Sequence, residues 1–201
     1  MSVNEALAAR RTCRTFTREP LAAGVLDSLL ERARRTPTAG NCQGVEFLVL
    51  EGPDEVAAFW GSTLAPEKRR SFPWPGLLSA PGIVIPFGLP EVYLDRYSED
   101  DKAASGLGGD MADWPVPYWL TDAAFAAMAL QLLVVEEGLG SCFFGLFGNE
   151  EAVRERFEVP GSARSPGAIA IGHPDRDAQR PSTSASRPRR PAASVVHHGR
   201  W

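Results

Sequence analysis

Guanidinium side chains are concentrated near both ends of this chain. One group is Arg10-Arg11-Thr12-Cys13-Arg14, and a second is Arg187-Pro188-Arg189-Arg190-Pro191. Guanidinium forks and a hydroxyl match the geometry of a phosphate, and each charge-assisted bond is worth roughly 1.5–3 kcal/mol. The pattern favours an anion site, and a solvated basic face is the alternative.

The composition limits the classes of protein to which the chain can belong. Its 201 residues are 44% hydrophobic, which predicts one domain with a substantial core. The net charge of -4 argues against a general nucleic-acid binder. Cys13, Cys42 and Cys142 form no CxxC or Cys/His cluster, which favours reduced thiols over a zinc site or a disulfide framework.

Two further features of the sequence bear on location. The first residues lack the basic and apolar regions of a signal peptide, so we expect a cytoplasmic protein. The longest apolar stretch, about 123–135, is predicted to be too short to span a bilayer.

Periodicity and turn residues predict the elements that must position these groups. Helical patterns occupy 2–11, 22–35, 54–60 and 150–157. Extended patterns occupy 45–50, 83–87, 141–147 and 167–171. Pro86 is unfavourable in a central strand. Residues 61–80 and 88–117 are expected to run over the surface, partly as a lid, and the tail is expected to end in a short strand near 193–196.

Residues 119–137 predict a long helix that is apolar on nearly every face. A helix of this kind is buried on all sides, and about 20 residues extend roughly 30 Å. Since one 200-residue domain offers little room for that, we expect an obligate homodimer.

Four motifs, in order, cover nearly the whole chain. They are Arg10–Arg14, Thr36–Gln43, Asp122 with the apolar helix and Gly138–Ser141, and Ala170–Pro174 with the later Arg189-Arg190-Pro191. Together they resemble the signatures of the FMN-dependent nitroreductase superfamily. Where that family often carries Pro-Trp after the second motif, this chain has Gly44-Val45.

The resemblance implies an α+β fold with a central mixed β-sheet flanked by helices, in an intertwined homodimer with FMN at the interface. It implies a single FMN-binding domain over 1–201, with an excursion or lid at about 61–117 and a C-terminal arm at about 177–201. No catalytic side chain and no metal ligand is expected, because the flavin carries the chemistry.

The resemblance also assigns residues to the flavin. Those expected on the phosphate and ribityl chain are Arg10, Arg11, Thr12 and Arg14, joined by Arg189. Those expected to line the ring are Thr38 and Ala39, from this chain or the second subunit, and the backbone of Phe144, Gly145 and Leu146. Asn41 and Gln43 suit either the pyrimidine edge of the ring or the structure of their own loop.

The implied activity is an NAD(P)H-dependent ping-pong reduction of nitroaromatics, quinones or similar small planar acceptors, with no nucleic-acid or membrane partner. Two alternatives stay open: a specialised flavoenzyme (dehalogenation, flavin fragmentation or oxidation of a peptide-derived substrate) and a non-catalytic FMN-binding or storage protein. Several aromatic side chains could sandwich a planar substrate, with core packing as the alternative. They are Trp60, Phe72, Trp74, Trp114, Tyr118 and Trp119.

Overall fold

The computed structural model describes residues 1–179 and 186–201. The helices of the described part are α1 (Val3–Ala9), α2 (Val25–Ala33), α3 (Pro53–Thr63), α4 (Pro66–Arg69), α5 (Pro90–Tyr97), α6 (Tyr118–Glu136) and α7 (Glu150–Arg156). The strands are β1 (Val45–Glu51), β2 (Gly82–Gly88), β3 (Gly140–Phe144) and β4 (Ala168–Gly172). The predicted α+β class is confirmed, and each strand lies within two or three residues of its predicted bounds.

The four strands form one sheet in the order β1-β2-β4-β3. All three ladders are antiparallel. The resemblance implies a mixed sheet. Among the described residues, parallel pairing is confined to an isolated bridge between Thr12 and Ser141, which lies on β3. That bridge lays the N-terminal arginine segment against β3.

The central strands are buried on both faces, because their side chains alternate between two cores. Ile83 and Ile85 of β2 face one core, with Phe59 of α3. Val84 of the same strand faces the other core, with Leu29 of α2 and further residues of α6. The sheet therefore lies between an α3–α7 layer and a layer built from α2 and α6.

Pro86 is accommodated because the second ladder of β2 is short. β2 pairs with β1 along its whole length, but with β4 only from Gly82 to Val84. The N–H of Gly88 points to the β4 side, where it donates to Arg164 O. Pro86, two residues earlier, directs its nitrogen to the same side, beyond the end of the ladder, so no hydrogen bond is lost there.

The long helix α6 is the core helix that the sequence predicts. Its buried side chains are Trp119, Asp122, Ala123, Ala126, Ala127, Leu130, Gln131 and Val134. Gly88 lets the helix approach β2, because a Cβ there would overlap the backbone carbonyl of Trp119. Phe125 and Met128 remain 49% and 36% exposed, so one chain leaves part of this helix uncovered.

By length and composition α6 could cross a membrane, since an 18-residue window of this 19-residue helix has a mean hydropathy of 1.5. The expectation that the apolar stretch is too short is therefore wrong for the complete helix. Its packing against the sheet, α1 and α2 makes it a core helix instead.

The irregular segments differ most from expectation. The short strand predicted near 193–196 is wrong, because Ala192–Ser194 form a 3-10 turn. Residues 88–117 do not simply run over the surface: they contain α5, whose Tyr93 is fully buried. Part of the predicted arm, 180–185, lies outside the described residues.

Candidate functional site

The arginine segment is held in an extended course beside the sheet. The backbone N–H of Cys13 donates to Ser141 O on β3 (2.9 Å), and that of Thr17 donates to His173 O just after β4 (2.9 Å). Gln179 adds a side-chain bond from Nε2 to Thr15 O (2.6 Å). The chain that follows β4 is thereby tied to the start of the molecule.

A cavity of about 780 Å³, the arginine cavity, opens beside this segment. Four of the described arginines line it, Arg10, Arg11, Arg14 and Arg176, and no Asp or Glu among the described residues does. No ion pair within residues 1–179 and 186–201 involves any of the four. Arg11 donates from Nη1 to the backbone carbonyls of Ala8 (2.5 Å) and Arg10 (2.9 Å). The four arginines together give the cavity a concentrated positive charge, which suits a phosphate.

The C-terminal contribution to this cavity comes from a residue that sequence reasoning missed. Arg176 lines it, whereas Arg189, expected at the phosphate, is exposed and lines neither cavity described here. The signal for Arg176 was available, because it stands two residues after Pro174 in the closing motif.

A second cavity of about 360 Å³, the aromatic cavity, shares one lining residue with the first. Phe144, Gly145 and Leu146 line it, and Arg14 lines both cavities. The Arg14 guanidinium carbon lies 4.8 Å from the centroid of the Trp74 ring, a cation–π distance that fixes its direction. One arginine thus stands at the junction of the charged and the apolar volumes.

The walls of the aromatic cavity are suited to a flat ligand. Trp60 and Phe144 stack at 5.6 Å with an interplanar angle of 15°, and Phe72 lies 6.1 Å from Trp60. A Cβ on Gly145 would lie 2.9 Å from the ring of Phe147, so this glycine lets an aromatic ring rest directly on the backbone. Phe147 itself is 91% exposed and has φ 48°.

The predicted aromatic group divides into two. Trp60, Phe72 and Trp74 line the aromatic cavity. Trp114 and Trp119 instead form a separate buried cluster with Tyr93, to which the exposed Tyr118 adds an edge contact with Trp114 at 5.9 Å. Trp114 and Trp119 therefore pack in the core, and neither they nor Tyr118 line the cavity that could hold a planar substrate.

The loop of residues 38–43 lies apart from both cavities within one chain. None of Thr38, Ala39, Asn41 and Gln43 lines either cavity. Asp122 and Arg96 fix the loop by bonds to Ala39 N (2.8 Å) and Gly40 O (2.9 Å). The single chain therefore brings together the arginine segment and residues 144–146, but not this loop.

Gly44 explains how the chain tolerates its departure from the usual family motif. A Cβ at position 44 would lie 2.6 Å from Cε2 of Tyr93, so any larger residue would displace that ring. The glycine therefore accommodates the buried tyrosine of α5.

The cysteine beside the aromatic cavity is not a ready nucleophile. Burial raises the pKa of the Cys142 thiol to about 11, although the Arg14 charge opposes the shift. The thiol is therefore protonated near neutral pH, and only the thiolate is reactive.

The residues present fit a mononucleotide with a planar ring. Both volumes fall within the roughly 300–1,000 Å³ typical of small-molecule sites. The arginine cavity offers guanidinium donors without competing carboxylates, and the aromatic cavity offers flat apolar walls. An anionic tail and a flat ring joined by a short chain would extend past Arg14 from one to the other.

Comparison with known proteins agrees with this geometry. A family model described as the Nitroreductase family matches residues 7–73 and 77–173. The FMN reductase (NADPH) of Bacillus subtilis is 25% identical over 203 residues, which cover 98% of this chain and 73% of the relative. The NADH dehydrogenase of Thermus thermophilus is 24% identical over 179 residues, which cover 82% of this chain and 83% of the relative.

Solved structures resemble the fold over nearly the full length. Nitroreductase CinD from Lactococcus lactis, in complex with nicotinic acid, superposes with a TM-score of 0.76 at 20% identity, covering 98% of each chain. Its complex with 4-nitrophenol gives 0.75 over the same share of each chain. The family model spans most of the sequence, and the chain therefore belongs to the nitroreductase family.

Proposed function

We propose that the protein is an NAD(P)H-dependent FMN oxidoreductase that reduces small planar acceptors such as nitroaromatics or quinones in a ping-pong cycle. The observation that carries the proposal is the junction at Arg14, where a cavity lined by guanidinium groups meets one lined by aromatic rings. The names of the relatives, FMN reductase (NADPH) and NADH dehydrogenase, support the same cofactor and reductants.

The chain's own residues bind and orient in this proposal. Arg10, Arg11, Thr12 and Arg176 hold the phosphate, since all four line the arginine cavity. The chemistry that FMN supplies when bound is acceptance of a hydride from NADH or NADPH and delivery of electrons to the acceptor. Arg14 places positive charge at the ring edge and so stabilises the negative charge that develops there.

The aromatic cavity selects the substrate. Its walls favour flat, apolar molecules that stack, and they exclude water from the ring face. A nicotinamide and then the acceptor occupy the same place in turn. In solved structures, the related CinD is in complex with chloramphenicol and with 4-nitrophenol, aromatic ligands of this general kind.

The active form in this proposal is a homodimer in the cytoplasm. The exposed Phe125 and Met128 on α6 would be covered by a second copy, which would also bring its 38–43 loop to the flavin. Arg189 would then act from the C-terminal arm of that copy. The three free cysteines support a reducing compartment.

We expect Phe125→Glu to convert the dimer to a folded monomer. The side chain is 49% exposed in the single chain, so the charge is tolerated there but opposes burial in an apolar interface. Size-exclusion chromatography with light scattering measures the change. An unchanged dimer would place the interface elsewhere.

The purified protein should be yellow and show the visible absorption bands of FMN. These bands should bleach on anaerobic titration with NADH or NADPH and return when a nitroaromatic or quinone is added. Colour that persists with both nucleotides would count against the activity. Flavin binding without steady-state oxidation of NAD(P)H by any acceptor would favour the storage alternative, and turnover confined to one unusual substrate would favour a specialised flavoenzyme.

A further inference from the structure

The loop of residues 38–43 has an unusual backbone. Gly40, Asn41 and Gln43 have φ of 60°, 56° and 55°, and two of these three are not glycine. Left-handed conformations at such residues persist only where the surroundings fix them, and they occur preferentially at functional sites. The side chains of Asn41 and Gln43 are exposed. The loop therefore holds two amides outward in a fixed and costly conformation.

Asp122 is the main anchor of this loop. The residue is 2% exposed and lies near the start of α6. Its Oδ2 atom accepts a hydrogen bond from the backbone N–H of Ala39 and another from the hydroxyl of Tyr93, each at 2.8 Å. A buried carboxylate that accepts two donors fixes both of them strongly, because each bond is charge-assisted.

Neighbouring residues fix the position of Asp122 and of the loop. Tyr93 is fully buried and meets Trp114 and Trp119 edge-on at 6.0 and 6.2 Å. Arg96 donates from Nε to Gly40 O at 2.9 Å and is itself oriented by two bonds to Asp101 at 2.7 and 2.8 Å. Residues of α5 and of α6 therefore fix the same loop.

We propose that Asp122 is a positioning residue for flavin binding: through Ala39 it fixes the 38–43 loop so that Asn41 and Gln43 meet the flavin of a second copy of this chain. The inference rests on the proposed function and on its dimer. It adds a residue that lines neither cavity and touches no ligand itself.

The test uses three variants of the full chain. Asp122→Leu removes the acceptor for both donors, Asp122→Asn keeps an amide oxygen that can accept them, and Tyr93→Phe removes one donor but leaves the Ala39 bond. For each we would measure FMN affinity, the absorption spectrum of bound flavin, and the rate at which N-ethylmaleimide modifies Cys42, resolved by peptide mapping. Cys42 reports on the loop directly, because its Sγ donates to Ala39 O at 2.6 Å.

For Asp122→Leu we expect FMN to bind about tenfold more weakly or worse, with Cys42 modified at least about tenfold faster, since the partly buried Ala39 N–H and the buried Tyr93 hydroxyl both lose their acceptor. The modification rates are compared in the flavin-free proteins, where the buried Cys13 and Cys142 should keep their rates, which separates local opening from unfolding. Tyr93→Phe should change either quantity by less than about threefold, and Asp122→Asn should recover most of the affinity. If Asp122→Leu does not fold, Asp122→Ala takes its place, because it also removes the acceptor for the Ala39 N–H but adds no apolar bulk.

Three results would overturn the proposal. The first is faster Cys42 modification with unchanged FMN affinity and spectrum, which would leave the proposed function intact. The second is an unchanged Cys42 rate in Asp122→Leu, or an Asp122→Asn variant that is no better than Asp122→Leu in both measurements. The third, a wild-type chain that binds no FMN, would remove the proposed function as well.

Discussion

Replacing Ala127 with glutamate should leave no folded protein. Ala127 is 2% exposed and packs with Leu130 and Val84 in the core between α6, α2 and the sheet. An uncompensated charge buried in such a place costs about 3–5 kcal/mol, and added volume costs about 1–3 kcal/mol more. Because a domain is stable by only about 5–15 kcal/mol, we expect loss of the cooperative thermal transition followed by circular dichroism.

Ala124→Glu is the matched control for this substitution. Ala124 lies on the same helix and is exposed in the single chain, on the face with Met128 that the proposed dimer covers. The same change there is tolerated by the fold of one chain, as at Phe125, whatever it does to the dimer. We expect that variant to fold. A folded, flavin-binding Ala127→Glu protein would contradict the packing described for α6. The effect at Ala127 concerns the fold of one chain, and Phe125 is the position that tests the dimer.

The regular elements could be predicted from the sequence because each has a strong local signal. Val45–Glu51 is rich in β-branched and aromatic residues and is bounded by Gly44 and Gly52-Pro53, and Ser2 with Glu5 forms the capping box that starts α1. The uniformly apolar pattern of α6 predicted its burial. Long, strongly patterned segments are determined by local preference and hydrophobic burial together, so both signals agree.

The Tyr93–Asp122 contact could not be predicted in the same way. It joins residues 29 positions apart, and it depends on the space that Gly44 leaves for a ring. No local pattern encodes such a fit. The sequence of 88–117 therefore predicts a surface excursion, whereas in the structure its helix α5 packs an aromatic cluster against α6.

The candidate site was predictable where motif and fold coincide. Arg10, Arg11 and Arg14 share one extended segment, so their convergence follows from its course beside β3. The C-terminal arginine depends on how the chain turns after β4, and that path brings Arg176 to the cavity. Thr38 and its neighbours line neither cavity of one chain, and in the proposed dimer they would act from a second chain, whose position no local pattern encodes.

Arg14→Ala should weaken FMN binding by about 10- to 100-fold, the largest effect we expect from any single residue of the site. Among the arginines that the structure describes, Arg14 alone lines both cavities, so it can act on the phosphate side and at the ring edge. Loss of one charge-assisted contact is worth roughly 1.5–3 kcal/mol, and about 1.4 kcal/mol is tenfold in affinity. Fluorescence titration of the apoprotein with FMN measures the change.

Two further variants decide whether geometry or charge is responsible for that loss. Arg14→Lys keeps the charge but loses the planar fork and its stacking on Trp74, so it should fall between wild type and Arg14→Ala. Arg18→Ala removes the same net charge from an arginine that lines neither cavity, and it should bind FMN like wild type. If Arg14→Ala and Arg18→Ala bind FMN equally well, the cofactor does not pass Arg14. That result would contradict the proposal that FMN extends from the arginine cavity into the aromatic cavity. If Arg14→Lys equals wild type, the positive charge alone is sufficient, and the stacked orientation of the guanidinium contributes nothing to recognition.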